Sequence, residues 1–273
     1  MNLTSPSQVK AWCISNGFHP NRTLGQNFLI DRNALVAIVD AGIGGVSSAD
    51  GSPRVLEIGP GLGVLTEELL ARGCRVTAVE KDPTLAARLK GALGAPAALE
   101  VVEGDALPLV SPRGALAEEA FDAMVSNLPY QAGTRILLEL VQRRRIPRMT
   151  ALLQTEVAER LVAPEGSRAR GLAGVWAQLD YDVEIVRKVP AGCFWPRPEV
   201  GSAVVRLVRH DRNSGMGAAE REVFRRLTKR AFEHRRKQLG SIFKDLIQST
   251  ARAEELSVGE WVEISKGLAN EDT

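Results

Sequence analysis

The sequence predicts an α/β fold, a mostly parallel β-sheet with helical crossovers, followed by a small helical C-terminal domain. Three observations carry that expectation. Short apolar runs of strand length alternate with longer stretches of helical periodicity through the first two thirds of the chain. A glycine-rich turn, GPGLG, joins one such run directly to a helix. Beyond a polar, glycine-containing linker at residues 211–217 the pattern becomes wholly helical.

In chain order, RTLGQNFLID leads into an apolar stretch through Leu35, Ile38 and Val39 with the spacing of an amphipathic helix, and Asp31 stands where it can cap that helix. After a Gly/Ser-rich loop at residues 44–53, RVLEIGPGLGVLTEELLARG reads as a strand over 55–58, a tight turn and a helix that Gly73 ends. CRVTAVEKD gives a second strand ending at Glu80, then a helix through Leu85 and Leu89, then a third strand over 99–102. FDAMVSNLPY supplies a fourth strand, residues 134–142 a helix, and RMTALLQTEVAERLV a strand passing into a helix. YDVEIVRKVP and SAVVRLVRH complete the sheet, the second preceded by the proline-rich FWPRPEVG. The tail starts near Ala218 and runs through Phe224, Leu227, Leu239, Phe243 and Leu246, so the expected division is 1–210 and 211–273.

Composition narrows the class. The 273 residues can bury one large core plus a smaller one, and 44% hydrophobic with 25% charged residues is ordinary for a folded, soluble chain. A net charge of +2 does not announce a nucleic-acid partner, so such a claim must rest on where the charges sit. Cys13, Cys74 and Cys193 form no CxxC pair, which argues against a disulfide framework or a zinc site and fits a reducing cytoplasm. Neither a leader pattern nor a membrane-spanning run is present, and His19, His210 and His234 have no partner at metal-ligand spacing, so no metal is expected.

Gly59, Gly61 and Gly63 let backbone approach a ligand closely. The spacing is GxGxG, and Glu80 ends the next strand, where a carboxylate can accept both hydroxyls of a ribose. Asp105 of GDA follows the third strand, within reach of an adenine amino group. Three loops therefore converge at one sheet edge, and S-adenosylmethionine is the economical cofactor. The alternative is a tight turn, a helix cap and a solvated loop residue.

NLPY, residues 127–130, follows the fourth strand. The exocyclic amine of adenine is a poor nucleophile because its lone pair is delocalised into the ring. The side-chain carbonyl of Asn127 and the backbone carbonyl of Leu128 can each take one N–H and so favour a more tetrahedral nitrogen. Pro129 stiffens the loop and Tyr130 offers a ring on which a purine can stack. A turn with a buried tyrosine is the plainer reading of the same residues.

These residues, with LGQNFLID, LEIGPGLGVLTEEL, VEKD, GDAL, SNLPY, LQTEVAERLVA, FWPRPEVGSAVVRL and AFEHRRKQL in that order, make the chain resemble the bacterial small-subunit rRNA adenine N6-dimethyltransferases, the family linked to kasugamycin sensitivity. The resemblance implies a Rossmann-like class I S-adenosylmethionine methyltransferase domain and a small helical C-terminal domain. It implies transfer of two methyls to each of two adjacent adenines near the 3′ end of small-subunit rRNA. It also implies that Asn27, Leu29, Gly59, Gly61, Glu80, Asp105 and Asn127 contact the cofactor, under an N-terminal covering segment. Phe194 of FWPRP would face Tyr130 across a flipped adenine; a core phenylalanine before a proline turn is the other reading. Gln131, Gly133 and Arg135 depart from the residues that commonly follow NLPY, and ARGLAG around Arg170 departs from a tyrosine-glycine-arginine-leucine-serine run.

Two basic clusters are candidate RNA contacts: Arg225, Arg226, Lys229, Arg235, Arg236 and Lys237 in the tail, beside Arg230, and Arg143, Arg144 and Arg145, with Arg148, expected near the edge that carries NLPY. Solvated faces balanced by Glu220, Glu222 and Glu233 would look similar. The expected partners are small-subunit rRNA and the immature small subunit, with the protein a monomer. A large-subunit rRNA methyltransferase of the macrolide-resistance type is the rival enzyme, and a small-subunit assembly factor on the same fold is the rival from another class. A small-molecule amine methyltransferase would not need the arginine-rich helices.

Overall fold

The structure, a computed structural model, describes all residues except 22, 23, 49, 245, 272 and 273, and no side chain at 270 or 271. Arg22 and Thr23, which begin the RTLGQNFLID segment, therefore lie outside the described residues. The elements in chain order are α1 (Pro6–Ser15), β1 (Phe28–Leu29), α2 (Arg32–Ile43), β2 (Arg54–Ile58), α3 (Val64–Ala71), β3 (Arg75–Glu80), α4 (Pro83–Ala92), β4 (Leu99–Glu103) and α5 (Ala106–Val110). They continue with β5 (Ala123–Asn127), α6 (Gly133–Arg143), β6 (Arg148–Gln154), α7 (Thr155–Val162), α8 (Leu172–Asp180) and β7 (Tyr181–Val189). The chain then forms β8 (Phe194–Trp195), β9 (Ser202–Arg209), α9 (Ala218–Glu233), α10 (Leu239–Phe243) and α11 (Val258–Glu271).

Seven strands form one sheet in the order β4-β3-β2-β5-β6-β9-β7. The first five run parallel, and β9 pairs antiparallel with β6 from Arg148↔Val208 to Gln154↔Ser202. The parallel strands are nearly continuous apolar runs because helices cover both faces of such a sheet: in β5 the first four residues are buried. Ile38 and Val39 of α2, Leu69 of α3 and Leu89 of α4 pack with Val55, Val76 and Val125 in one core. Local signals set the helix ends. Asp31 accepts from the Ala34 N–H at 2.8 Å, Asp82 caps α4, and Gly73 with φ +81° follows α3.

The chain divides into two units, Met1–Ala158 with Glu184–Val208, and Glu159–Val183 with Arg209–Thr273. The expected boundary at 210/211 differs from this by two residues at that point, and it misses the segment Glu159–Val183 altogether. The physical reason is packing: Val175 and Leu179 of α8 share a core with Phe224, Leu227, Leu239 and Trp261. The same unit holds a buried ion pair in which Arg221 bonds both carboxylate oxygens of Asp180, at 2.8 and 3.0 Å. Among the described residues no helix is long and apolar enough to cross a membrane.

Candidate functional site

Parallel pairing puts the carboxyl ends of β2, β3, β4 and β5 on one edge, and the chain leaves β2 toward β3 on one side and returns as β5 on the other. Ligands bind at such a switch point because the loops diverge there. Backbone bonds stitch these loops together: the Gly59 N–H donates to Val79 O at 2.9 Å and the Gly104 N–H to Glu80 O at 2.8 Å. Gly61 has φ +58°, and a Cβ on it would stand 3.0 Å from the Phe28 ring. Gly63 has φ +94°, and a Cβ there would meet Leu89 Cδ1 at 2.7 Å. Side chains at these two positions would strain the turn and push α4 away.

The loops enclose about 1110 Å³ of space counted out to the mouth, lined in part by Asn27, Leu29, Gly59, Gly61, Glu80, Asp105 and Asn127. Every residue expected at the cofactor thus meets in one cavity. Glu80 is buried; the Gly61 N–H donates to its Oε2 at 3.0 Å and the Asp82 N–H to its Oε1 at 2.9 Å. Burial raises its pKa, opposed by those two N–H groups. A carboxylate oriented by backbone and facing a cavity is a fitting acceptor for vicinal hydroxyls. Asp105 caps α5 through Oδ1 to the Leu107 N–H and pairs with Lys81 Nζ at 2.7 Å through Oδ2. The Lys81 hydrogen bond foremost holds its carboxyl below the usual range. A nucleoside carrying a cationic sulfonium amino acid fits this set of acidic and backbone groups.

At the end of β5 the Asn127 Nδ2 donates to Asn27 O at 3.0 Å, leaving the side-chain carbonyl as its free acceptor. Among the described residues no donor reaches the Leu128 carbonyl, while the Pro129 carbonyl accepts from Gly133 N–H at 2.7 Å. Among the described residues the Asn127 side-chain carbonyl is therefore a free acceptor at the cavity, whereas Leu128, expected as the second acceptor, is 1% exposed and does not line it; its backbone carbonyl is unengaged but comes next after Asn127 in the chain. The Tyr130 hydroxyl is anchored to Ser202 Oγ at 2.7 Å, and burial raises its pKa.

Two further expectations require correction. Phe194 does not line the cavity; it is 2% exposed, paired in register with Leu29 and packed in the sheet core. In this structure its ring has no open face for a base, because the β1–β8 pairing turns it inward. Arg143, Arg144 and Arg145 are not near the edge that carries NLPY. α6 starts at that edge and crosses back, so its last residue Arg143 and the start of β6 lie at the opposite edge, where Ala123 pairs with Arg148. There Arg143 and Arg145 both bond Glu118, and Arg148 bonds the Gly44 carbonyl.

Only part of the tail cluster is helical: Arg225, Arg226 and Lys229 lie on α9, whereas Arg235, Arg236 and Lys237 lie in the turn after it. Val223, Phe224, Leu227, Thr228 and Ala231 are buried, and Arg226, Lys229, Arg236 and Lys237 are exposed. Arg225 bonds Glu222 at 2.9 Å, and Arg235 bonds Arg168 O at 2.6 Å. Sequence reasoning missed Glu57, Lys81 and Leu3 as cavity residues and treated Gln131 only as a departure from pattern. Glu57 was legible as a carboxylate inside an apolar strand, VLEI; its burial pushes its pKa up to about 8, with the Thr66 hydroxyl opposing and the charge of Glu80 adding. Among the described residues no group of His, Cys, Asp and Glu could hold a metal ion.

Residues 17–269 match the family described as ribosomal RNA adenine dimethylase. The protein from Deinococcus radiodurans named ribosomal RNA small subunit methyltransferase A is 44% identical over 209 residues, covering 75% of this chain and 67% of the relative. The protein of the same name from Bifidobacterium longum is 34% identical over 295 residues, covering 98% of this chain and 94% of the relative. Among solved structures, a dimethyladenosine transferase from Plasmodium falciparum superposes with a TM-score of 0.75 at 22% identity, covering 89% of this chain and 98% of that one. The 23S rRNA methyltransferase ErmE superposes with a TM-score of 0.67 at 26% identity, covering 88% and 98%.

Proposed function

The chain belongs to the ribosomal RNA adenine dimethylase family, and from that premise we propose that it methylates the N6 amine of two adjacent adenines near the 3′ end of small-subunit rRNA, giving N6,N6-dimethyladenosine. S-adenosylmethionine supplies the methyl group, activated by its sulfonium charge. Glu80 binds the ribose hydroxyls, Asp105 the adenine amino group, and Asn27, Leu29, Gly59 and Gly61 the rest of the cofactor.

The observation that carries the catalytic reading is the free side-chain carbonyl of Asn127 at the cavity, followed in the chain by the Leu128 backbone carbonyl, which no donor reaches among the described residues. Each takes one N–H of the target amine, which orients the nitrogen lone pair and stabilises its more tetrahedral form during attack. Pro129 fixes the loop, and Tyr130, held by Ser202, offers its ring to the base taken out of the stack. Phe194 supports the site from the core by backing Leu29.

Arg226, Lys229, Arg236 and Lys237 form the phosphate-tracking surface, supported by Arg225 and Arg235, whose side chains also brace their own unit. The partner is small-subunit rRNA within the immature subunit, bound by a monomer in the cytoplasm. The test is transfer of labelled methyl groups from S-adenosylmethionine to small subunits that lack the modification. Transfer supports the reading; tight binding without transfer supports an assembly factor instead.

A further inference from the structure

We infer that Gln131 reads the ring edge of the target base and so helps decide that adenine is accepted; the inference rests on the function proposed above. Gln131 lines the cavity together with Asn127 and Pro129, although the residue is exposed, which puts it at the mouth. Among the described residues nothing bonds its side-chain amide, so both its N–H donors and its carbonyl are available.

The position of Gln131 is held from both sides. Before it, the Tyr130 hydroxyl is bonded to Ser202 Oγ at 2.7 Å. After it, the Gly133 N–H closes a tight turn onto Pro129 O at 2.7 Å, and α6 begins. Gly133 makes that turn fit: a Cβ on it would stand 2.8 Å from Leu128 Cβ, an atom too close to the backbone to move aside cheaply. The departures from the family pattern thus work together, Gly133 letting α6 sit against Leu128 and Gln131 standing on the turn that results.

The chemistry of the base sets what an amide there can do. Once the C6 amine is held by Asn127 and Leu128, the neighbouring ring atom on the Watson–Crick edge is N1, a bare acceptor in adenine. Guanine carries an N–H at N1 and a carbonyl at C6. An amide N–H donated by Gln131 therefore matches adenine and meets a donor in guanine, and flipped bases are generally read by hydrogen bonds to this edge.

The experiment compares wild type, Gln131→Met and Gln131→Glu in single-turnover methylation of reconstituted small subunits. The target carries either adenosine or 1-deazaadenosine, in which N1 is replaced by C–H. Wild type is expected to slow about tenfold on the analogue, the effect of one hydrogen bond. Both variants should be slowed about as much on adenosine and lose little more on the analogue. Binding of S-adenosylmethionine should stay within about twofold of wild type in each, which separates reading of the base from a damaged fold. Wild-type rates on adenosine in both variants, or an undiminished analogue penalty in them, would overturn the inference. Failure of wild type to methylate the natural target would instead sink the function on which it rests, and the inference with it.

Discussion

The side-chain amide of Asn127 donates to the backbone carbonyl of Asn27, 100 residues earlier in the chain, at 3.0 Å. This bond joins the segment before α2 to the end of β5. It also fixes which end of the Asn127 amide is left for substrate, since an N–H committed to Asn27 leaves a carbonyl over. Methyl transfer to an aromatic amine needs acceptors, and this contact makes Asn127 one.

Glu80 is the first position to test for the cofactor. Its two oxygens are already oriented by Gly61 and Asp82, so Glu80→Ala removes a preformed acceptor pair. Isothermal titration with S-adenosylmethionine should show affinity reduced roughly 10- to 100-fold, the range for one or two hydrogen bonds to a charged group. Glu80→Gln, which keeps one acceptor, should fall between. Unchanged affinity in Glu80→Ala would remove this residue from the site.

Glu57 makes stability depend on pH. Its ordinary value of 4.5 is raised to about 8 in the folded protein, burial being the main cause. Between those values the unfolded chain has lost a proton that the folded chain keeps, so this group makes stability fall as pH rises from about 4.5 to about 8, and contributes no slope outside that window. Glu57→Gln keeps an acceptor for the Thr66 hydroxyl and cannot ionise. Thermal melts should show the variant gaining on wild type as pH rises through the window; parallel curves would contradict the assignment.

Arg221 and Asp180 are a nearly buried, doubly bonded pair. Arg221→Ala removes both of these bonds from a buried carboxylate and should cost about 3–5 kcal/mol in urea unfolding. Replacing both partners with apolar residues of similar volume should recover most of that loss. A cost below about 1 kcal/mol for the single variant would mean that the carboxylate is relieved by other groups.

Phe194 separates a core role from a stacking role. Phe194→Ala should cost about 3–5 kcal/mol, as for a large buried aromatic. Phe194→Leu should keep most of the stability and, on the present account, most of the turnover. A large loss of turnover in Phe194→Leu at an unchanged melting temperature would restore the ring to the base-binding face.

Much of this architecture is legible in the sequence because its signals are local. The apolar runs of β2, β3 and β5 announce a parallel sheet, Asp31 caps α2 as its position predicts, and after the turn at GPGLG, Glu80, Asp105 and Asn127 each stand at or just beyond the end of a following strand. What is not local is not legible. β1 and β8 are two residues each, and their pairing joins Phe28 and Leu29 to residues far along the chain. α8 joins the second unit because Val175 and Leu179 pack with Phe224, which no periodicity reveals. The arginines at the end of α6 follow NLPY by one helix in sequence, and that helix carries them to the other edge. Glu57 escaped because a charged residue in a strand ordinarily marks an exposed face.

Nucleoside analysis of small-subunit RNA after incubation with S-adenosylmethionine and either wild type or Asn127→Ala tests the central claim most directly. N6,N6-dimethyladenosine is expected near the 3′ end with wild type, and a rate lower by about 100- to 1,000-fold with the variant, as for removal of one transition-state hydrogen-bonding group. Dimethyladenosine formed equally well by Asn127→Ala, or found in large-subunit RNA and absent from small-subunit RNA, would contradict it.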